Sequence, residues 1–390
     1  MANKLRTRKR RAKKPGKRQT KAVSERRPAA PAPSPAPAGL DAQPYTDAAV
    51  SPVPGAITLE EFNAMARDPD VPDRELRKYF TIDRSLSRPF RPAVHLDPTL
   101  VRKADGSEVR AEGLLDWANG FSRWRRQDRF RRRIQKGEAL PILVSEGDSW
   151  FQFPIFLDDV IDHFDKPYLI WSVDAAGDTL ENMVRKFPEY LAELRRQSGK
   201  AKAFLFSGGG NDLVGEDGDG RSILEKVLKP FATGKKARWY LETQEYATTL
   251  ASIEGHFREV LNRVAAEFPG LPVIIHGYDY AIPGPAPNEW RRPAWAGVDQ
   301  WLGRALRARG ILDHKLQREI IKTMIDDLNE AQKRLCGEGH AGAGKFKDAY
   351  HVDVRGALNP PEWADELHPT DAGFKKVAAV FAKVLKKAGL

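Results

Sequence analysis

A serine follows the short apolar run Leu140–Val144, within Gly147-Asp148-Ser149. A hydroxyl is a weak nucleophile and attacks a carbonyl carbon only with a base in hydrogen-bond reach. His368, the last residue of Asp365-Glu366-Leu367-His368, can be that base near neutral pH. Asp365, three residues earlier on the same loop, can accept the proton of the other ring nitrogen and fix its tautomer. Acyl transfer also needs donors aimed at a developing oxyanion. Gly177, just before a helix opened by Asp178 and Glu181, offers a backbone N–H with no side chain to block approach. Asn211, in Gly209-Gly210-Asn211-Asp212, offers a side-chain amide, and the Ser149 N–H is a third donor. Each of these signals has an ordinary structural reading. Gly-Asp-Ser is a common turn, and Asp-x-x-His is a common helix start that Thr370 would cap. Their order along the chain, each near the end of an apolar run, favours the chemical reading.

The elements that must bring these residues together follow from the apolar pattern. Apolar runs at Leu140–Val144, Tyr168–Val173, Ala203–Ser207, Leu271–Gly277 and Ala349–Val354 alternate with helical stretches. The stretches fall at about 156–164, 179–196, 241–267, 313–335 and 371–387. Continuous apolar strands separated by helices predict an α/β fold with a parallel sheet covered on both faces. Ligands of such sheets bind beyond the carboxyl ends of the strands, where all four candidate segments fall. Two insertions, Gly215–Tyr240 and the Pro- and Trp-rich Ala281–Gly297, are placed to wall a pocket there.

Three regions are expected: a basic tail and Pro/Ala linker over 1–54, a helical segment over 55–139, and the α/β domain over 140–390. Residues 1–27 hold 13 Lys or Arg and one acid, and the other 363 residues have a net charge of −1, so the overall +11 belongs to the tail. The body is therefore no basic nucleic-acid-binding surface, whereas residues 1–27 suit nucleic acid or an anionic membrane surface. Thr58 and Glu61 have capping-box spacing for a helix through about Ala66. From about Ala111 to Lys136, Trp117, Phe121, Trp124, Phe130 and Ile134 form an apolar stripe on a helix. Its other face, Arg123 to Lys136, reads as solvated, with the aromatics docked on the main domain; an anion-binding surface is the alternative. One cysteine, Cys336, excludes a disulfide framework and a thiolate zinc site and suits the cytoplasm. Neither an export signal nor an apolar run long enough to span a bilayer is evident.

As a set, Ser149, Gly177, Asn211 and Asp365-x-x-His368 resemble the four blocks of the SGNH hydrolases, the GDSL-type esterase and lipase superfamily. The resemblance spans about residues 140–390. It implies a flavodoxin-like α/β/α sandwich and a Ser149–His368–Asp365 triad that needs neither metal nor cofactor. It also implies an oxyanion hole from Ser149, Gly177 and Asn211. Competing motifs break down: Phe151 replaces the last glycine of the Gly-x-Ser-x-Gly elbow, and Phe346 ends the P-loop-like Gly339–Lys345. The acids Asp212, Glu216, Asp217 and Asp219 lack EF-hand spacing and read as a solvated turn, and His276 as a core histidine. The expected function is hydrolysis of a carboxylic ester. The alternatives are acyl transfer on the same triad, or a polyanion- or membrane-binding module that acts through the tail. Oligomeric state is not legible.

Overall fold

The computed structural model describes residues 55–88, 91–102, 115–337 and 346–390. The basic tail with its expected anionic partners, and the Gly339–Lys345 connector, lie outside the described residues. Five strands form one sheet: β1 (Ile142–Glu146), β2 (Leu169–Ser172), β3 (Ala201–Ser207), β4 (Val273–His276) and β5 (Ala349–Val352). All neighbours pair in parallel, in the order β2-β1-β3-β4-β5. This is the flavodoxin-like doubly wound order, whose switch point lies beside β1.

The principal helices are α1 (Leu115–Gln135), α2 (Glu189–Arg196), α3 (Gln244–Glu267), α4 (His314–Leu335) and α5 (Asp371–Lys387). Side chains alternate across a strand, so Phe204 and Phe206 share one face of β3 and Ser207 lies on the other. The first face packs Phe204 against Tyr190 of α2 (4.9 Å between ring centres) and Phe206 against Phe257 of α3 (5.5 Å). The second face packs His276 of β4 against Phe381 of α5, at 6.0 Å. The middle layer is thus dry on both sides, as its unbroken apolar runs require. Helix starts follow local chemistry: Thr243, Asp313 and Thr370 cap α3, α4 and α5 through their side-chain oxygens.

Two expected helices differ. At 156–164 only Asp162–Phe164 forms a helical turn. Asp159 bonds the N–H groups of Ile161 and Asp162, and Asp162 returns a bond to Asp159 N–H, which draws the backbone into turns. The stretch 179–196 breaks at Phe187-Pro188, because proline has no N–H to continue the ladder and restricts the residue before it.

The segment before β1 is less helical than expected. It holds the predicted capping box of Thr58 and Glu61, but also an antiparallel ribbon of Phe80–Arg88 with Arg91–Leu96. The arginine face of α1 is the larger correction, because much of it points inward, with Arg131 and Lys136 exposed. Arg125 (1% exposed) donates to the carbonyls of Ala66 and Val71 and pairs with Asp73. Arg126 pairs with Asp159 (2.6 Å) and Asp162 (2.9 Å) and donates to Phe151 O. Arg129 and Arg133 hold the turn around Asp165. Apart from Phe130, the apolar stripe is only half-buried or exposed where its side chains are described. Guanidinium groups carry enough donors to satisfy the loop carbonyls beneath them, so this face docks rather than dissolves.

That reversal gives a stability prediction. Arg126→Leu leaves the fully buried Asp159 carboxylate without its partner and should cost about 3–5 kcal/mol, read by equilibrium urea unfolding. A solvated arginine would cost almost nothing.

Candidate active site

The serine turn is built from β1 outward. A Cβ on Gly147 would sit 2.7 Å from the Phe151 ring and 2.9 Å from Ser207 Cβ, so only glycine lets the chain leave the strand here. Asp148 then turns into the core. Its carboxylate accepts from Trp150 N–H (3.1 Å), Ser207 hydroxyl (3.0 Å) and the Tyr278 hydroxyl. Its carbonyl accepts from the N–H groups of Phe151 and Gln152. These five bonds fix a tight turn with Ser149 at its apex. Burial raises the Asp148 pKa, and the bond from Tyr278 offsets part of that.

The second loop meets the first at the apex. His368 Nε2 lies 2.8 Å from Ser149 Oγ, and His368 Nδ1 lies 2.8 Å from Asp365 Oδ2. A carboxylate can only accept, so Nδ1 carries the proton and Nε2 is left to accept from the serine hydroxyl. Asp365 is fully buried and takes three further N–H bonds, from His368 and Leu367 main chains (2.7 Å each) and Trp295 Nε1 (2.7 Å). Burial alone would raise its pKa. The adjacent His368 ring and these donors outweigh burial and hold the carboxyl below its usual range. Thr370 does cap α5, so both readings of Asp-x-x-His hold at once.

Gly177 and Asn211 lie at the same place. Gly177 adopts φ +83°, a conformation that glycine takes at little cost. Asn211 Nδ2 donates to Asp178 O (2.7 Å), which orients the amide and leaves its second N–H for another acceptor. Two apolar cavities share Ser149, Asn211 and His368 and no other residue. One is walled by Leu213, Leu302, Ile321, Met324 and Leu328. The other is walled by Val94, Ala118, Phe153, Phe156, Gly177, Trp295 and Trp301. All five candidate residues except the buried Asp365 therefore line one or both cavities.

Three contributors were not legible as site residues. Trp295, from the insertion expected only to wall a pocket, donates to Asp365. Arg291, also from the 281–297 insertion, donates to Asp365 O (3.1 Å). Glu366 accepts the N–H groups of Gly284, Trp301, Leu302 and Gly303, locking that insertion and the turn after it to the His368 loop. Burial pushes Glu366 up to about 7 against the pull of those four donors. His276 is buried against Trp150 and Phe381, and burial lowers it to about 3, so it stays neutral. Among the described residues no group of three or more His, Cys, Asp or Glu is arranged to hold a metal ion. Asp217 instead closes its own turn onto Asp219 and Arg221 N–H.

No protein-family model matches the sequence, and no curated protein matches it. Solved structures described as GDSL-like lipases and SGNH hydrolases are among those similar in fold. Phospholipase A1 from Streptomyces albidoflavus NA297 is 15% identical over 63% of this chain and 100% of that one, with a TM-score of 0.37. An extracellular lipase from Streptomyces rimosus is 15% identical over 62% and 99%, with a TM-score of 0.36. A carbohydrate esterase of family 3 from Talaromyces cellulolyticus is 13% identical over 64% and 99%, with a TM-score of 0.32.

Asp212 gives a pH prediction. Burial raises its pKa to about 7, from about 3.9 in an unfolded chain. Between those values the folded state binds more protons, so stability falls as pH rises from about 4 to about 7. Asp212→Asn keeps an acceptor for Leu180 N–H and removes the buried charge. It should be more stable than wild type at pH 8 and lose that advantage at pH 4, measured by urea denaturation at both.

Proposed function

We propose that the protein is a serine acyl hydrolase acting on carboxylic esters. The observation that carries this reading is the continuous hydrogen-bond chain from Ser149 Oγ through His368 to Asp365, at 2.8 Å per link, opening into cavities that also expose Asn211 and Gly177. Ser149 attacks the ester carbonyl carbon while His368 Nε2 takes its proton. The oxyanion is held by the N–H groups of Ser149 and Gly177 and the free N–H of Asn211. His368 returns the proton to the departing alcohol, leaving an acyl-enzyme. Water, deprotonated by His368, then attacks the acyl carbon; the Ser149 Oγ–acyl bond breaks, His368 returns the proton to Oγ, and the acid leaves.

The cavity walls narrow the substrate. Beyond the shared polar residues, one cavity is lined by apolar side chains and the other is mostly apolar, with Asp148, Tyr278 and Asp279 as its further polar lining. An ester with apolar groups on both its acyl and its alcohol side buries surface in each. A sugar acetate would leave its hydroxyls unpaired there.

Wild type should hydrolyse p-nitrophenyl esters with kcat/KM rising from acetate to hexanoate, and should be labelled by a fluorophosphonate. Ser149→Ala should do neither; turnover surviving in that variant would remove the assignment. His368→Ala should lose about 10⁶ in kcat and Asp365→Asn about 10⁴, since aspartate orients the base without being it. Equal losses, or none, would contradict these roles.

A further inference from the structure

β2 is an edge strand, and an edge presents unpaired peptide groups along its open side. Its inner N–H groups pair with the β1 segment: Leu169 N–H donates to Pro141 O and Val173 N–H to Ser145 O. The even-numbered residues therefore face outward, and α1 meets them in register. Gln127 Nε2 donates to Ser172 O (2.9 Å). Arg123 donates to Asp174 O through Nε (3.2 Å) and Nη2 (3.0 Å). Asn119 Nδ2 donates to Ala176 O (3.0 Å), and Asn119 Oδ1 accepts from Ala176 N–H (2.9 Å). Spacing of four on the helix matches spacing of two on the chain it covers. The helix stands in for the strand that the edge lacks.

The last two of these contacts continue the pattern beyond the strand, and the last reaches the site. Ala176 O and Gly177 N–H belong to one planar trans peptide, so they point in opposite directions. A donor fixed on that oxygen sets the direction of the Gly177 N–H. It also polarises the peptide, making that N–H a stronger donor. Asn119 is itself buried and held by Gln152 Nε2, at 3.1 Å from both its Oδ1 and its main-chain oxygen. Gln152 lies three residues after Ser149, so one amide ties the glycine loop to the serine turn.

We propose that Asn119 is a positioning residue for the oxyanion hole. It orients and polarises the Gly177 N–H through the Ala176 peptide, which makes α1 part of the working active centre although it precedes the α/β domain. This inference rests on the esterase reading above.

The test uses the full chain and four proteins: wild type, Asn119→Ala, Asn119→Asp and Gln127→Ala. The last removes one bond of the same helix to the same edge, two turns further along. For each, kcat and KM are measured on p-nitrophenyl hexanoate, with Ki for a trifluoromethyl ketone that forms a tetrahedral oxyanion on Ser149, and the thermal midpoint. Removing an oxyanion donor outright costs about 10²–10³ in kcat. A donor that is present but unaimed should cost less, about 10–100-fold. Asn119→Ala should show that loss in kcat with KM within about twofold, and Ki should rise in proportion to the fall in kcat/KM.

Asn119→Asp keeps the acceptor for Ala176 N–H but loses the donor to Ala176 O. It should fall as far, which decides the matter if the alanine variant does not fold. Gln127→Ala should keep wild-type kcat and Ki. The proposal is overturned if the foldable Asn119 variants keep wild-type kcat, if Gln127→Ala loses as much, or if Ki fails to track kcat/KM. If wild type shows no Ser149-dependent hydrolysis, the esterase reading falls first, and this inference with it.

Discussion

Much of the active-end architecture is arranged around one buried carboxylate. Asp365 has no water to solvate it, and an ionised carboxylate in the interior is unfavourable unless protein donors replace that water. It receives His368 Nδ1–H, two main-chain N–H groups of its own loop, and the indole N–H of Trp295. Satisfying it fixes the His368 ring, which in turn aims Nε2 at Ser149. The neighbouring Glu366 takes four main-chain N–H donors, one from Gly284 of the insertion and three from Trp301, Leu302 and Gly303 just after it, although burial still pushes its pKa up to about 7. The Ala281–Gly297 insertion and the turn after it are therefore no loose flap over a finished pocket: Trp295 helps keep the Asp365 carboxylate ionised, and Gly284, Trp301, Leu302 and Gly303 tie the segment to Glu366.

A second constraint acts at the opposite side of the sheet. The edge of β2 and the chain that continues it to Ala176 need partners for their outward peptide groups, and α1 supplies them with polar side chains. Arg123 suits this work because its planar fork holds Asp174 O with two donors while its charge pairs with Glu189; Arg125, Arg126 and Arg129 pair instead with Asp73, Asp159 and Asp165 on neighbouring segments. The helix that closes the edge also walls a cavity beside Ser149 through Ala118, as the preceding ribbon does through Val94. Structure and function are thus joined across the boundary at residue 139 that composition suggested.

What the sequence determined by itself is what local chemistry controls. Unbroken apolar runs between helical stretches specify a covered parallel sheet, because a strand buried on both faces carries few polar residues, such as Ser207 and His276 here. Gly147-Asp148-Ser149, Asn211 and Asp365-x-x-His368 were legible because each is a short segment whose residue types already match a chemical role. Their convergence followed once strands of one parallel sheet were known to end on one side. Capping residues such as Thr58 and Thr370 were legible for the same local reason.

Only the tertiary structure decided which way the arginines of α1 point. Helical periodicity separates two faces but does not say which is inward when the polar face meets a surface of unpaired carbonyls and carboxylates. Trp295 and Asn119 stayed hidden for a related reason. Their importance lies in partners 70 and 57 residues away, Asp365 and Ala176, and no spacing rule reaches that far. An indole N–H or an amide is unremarkable in sequence. It gains a role when the fold places it against a buried group that has no water left to bond.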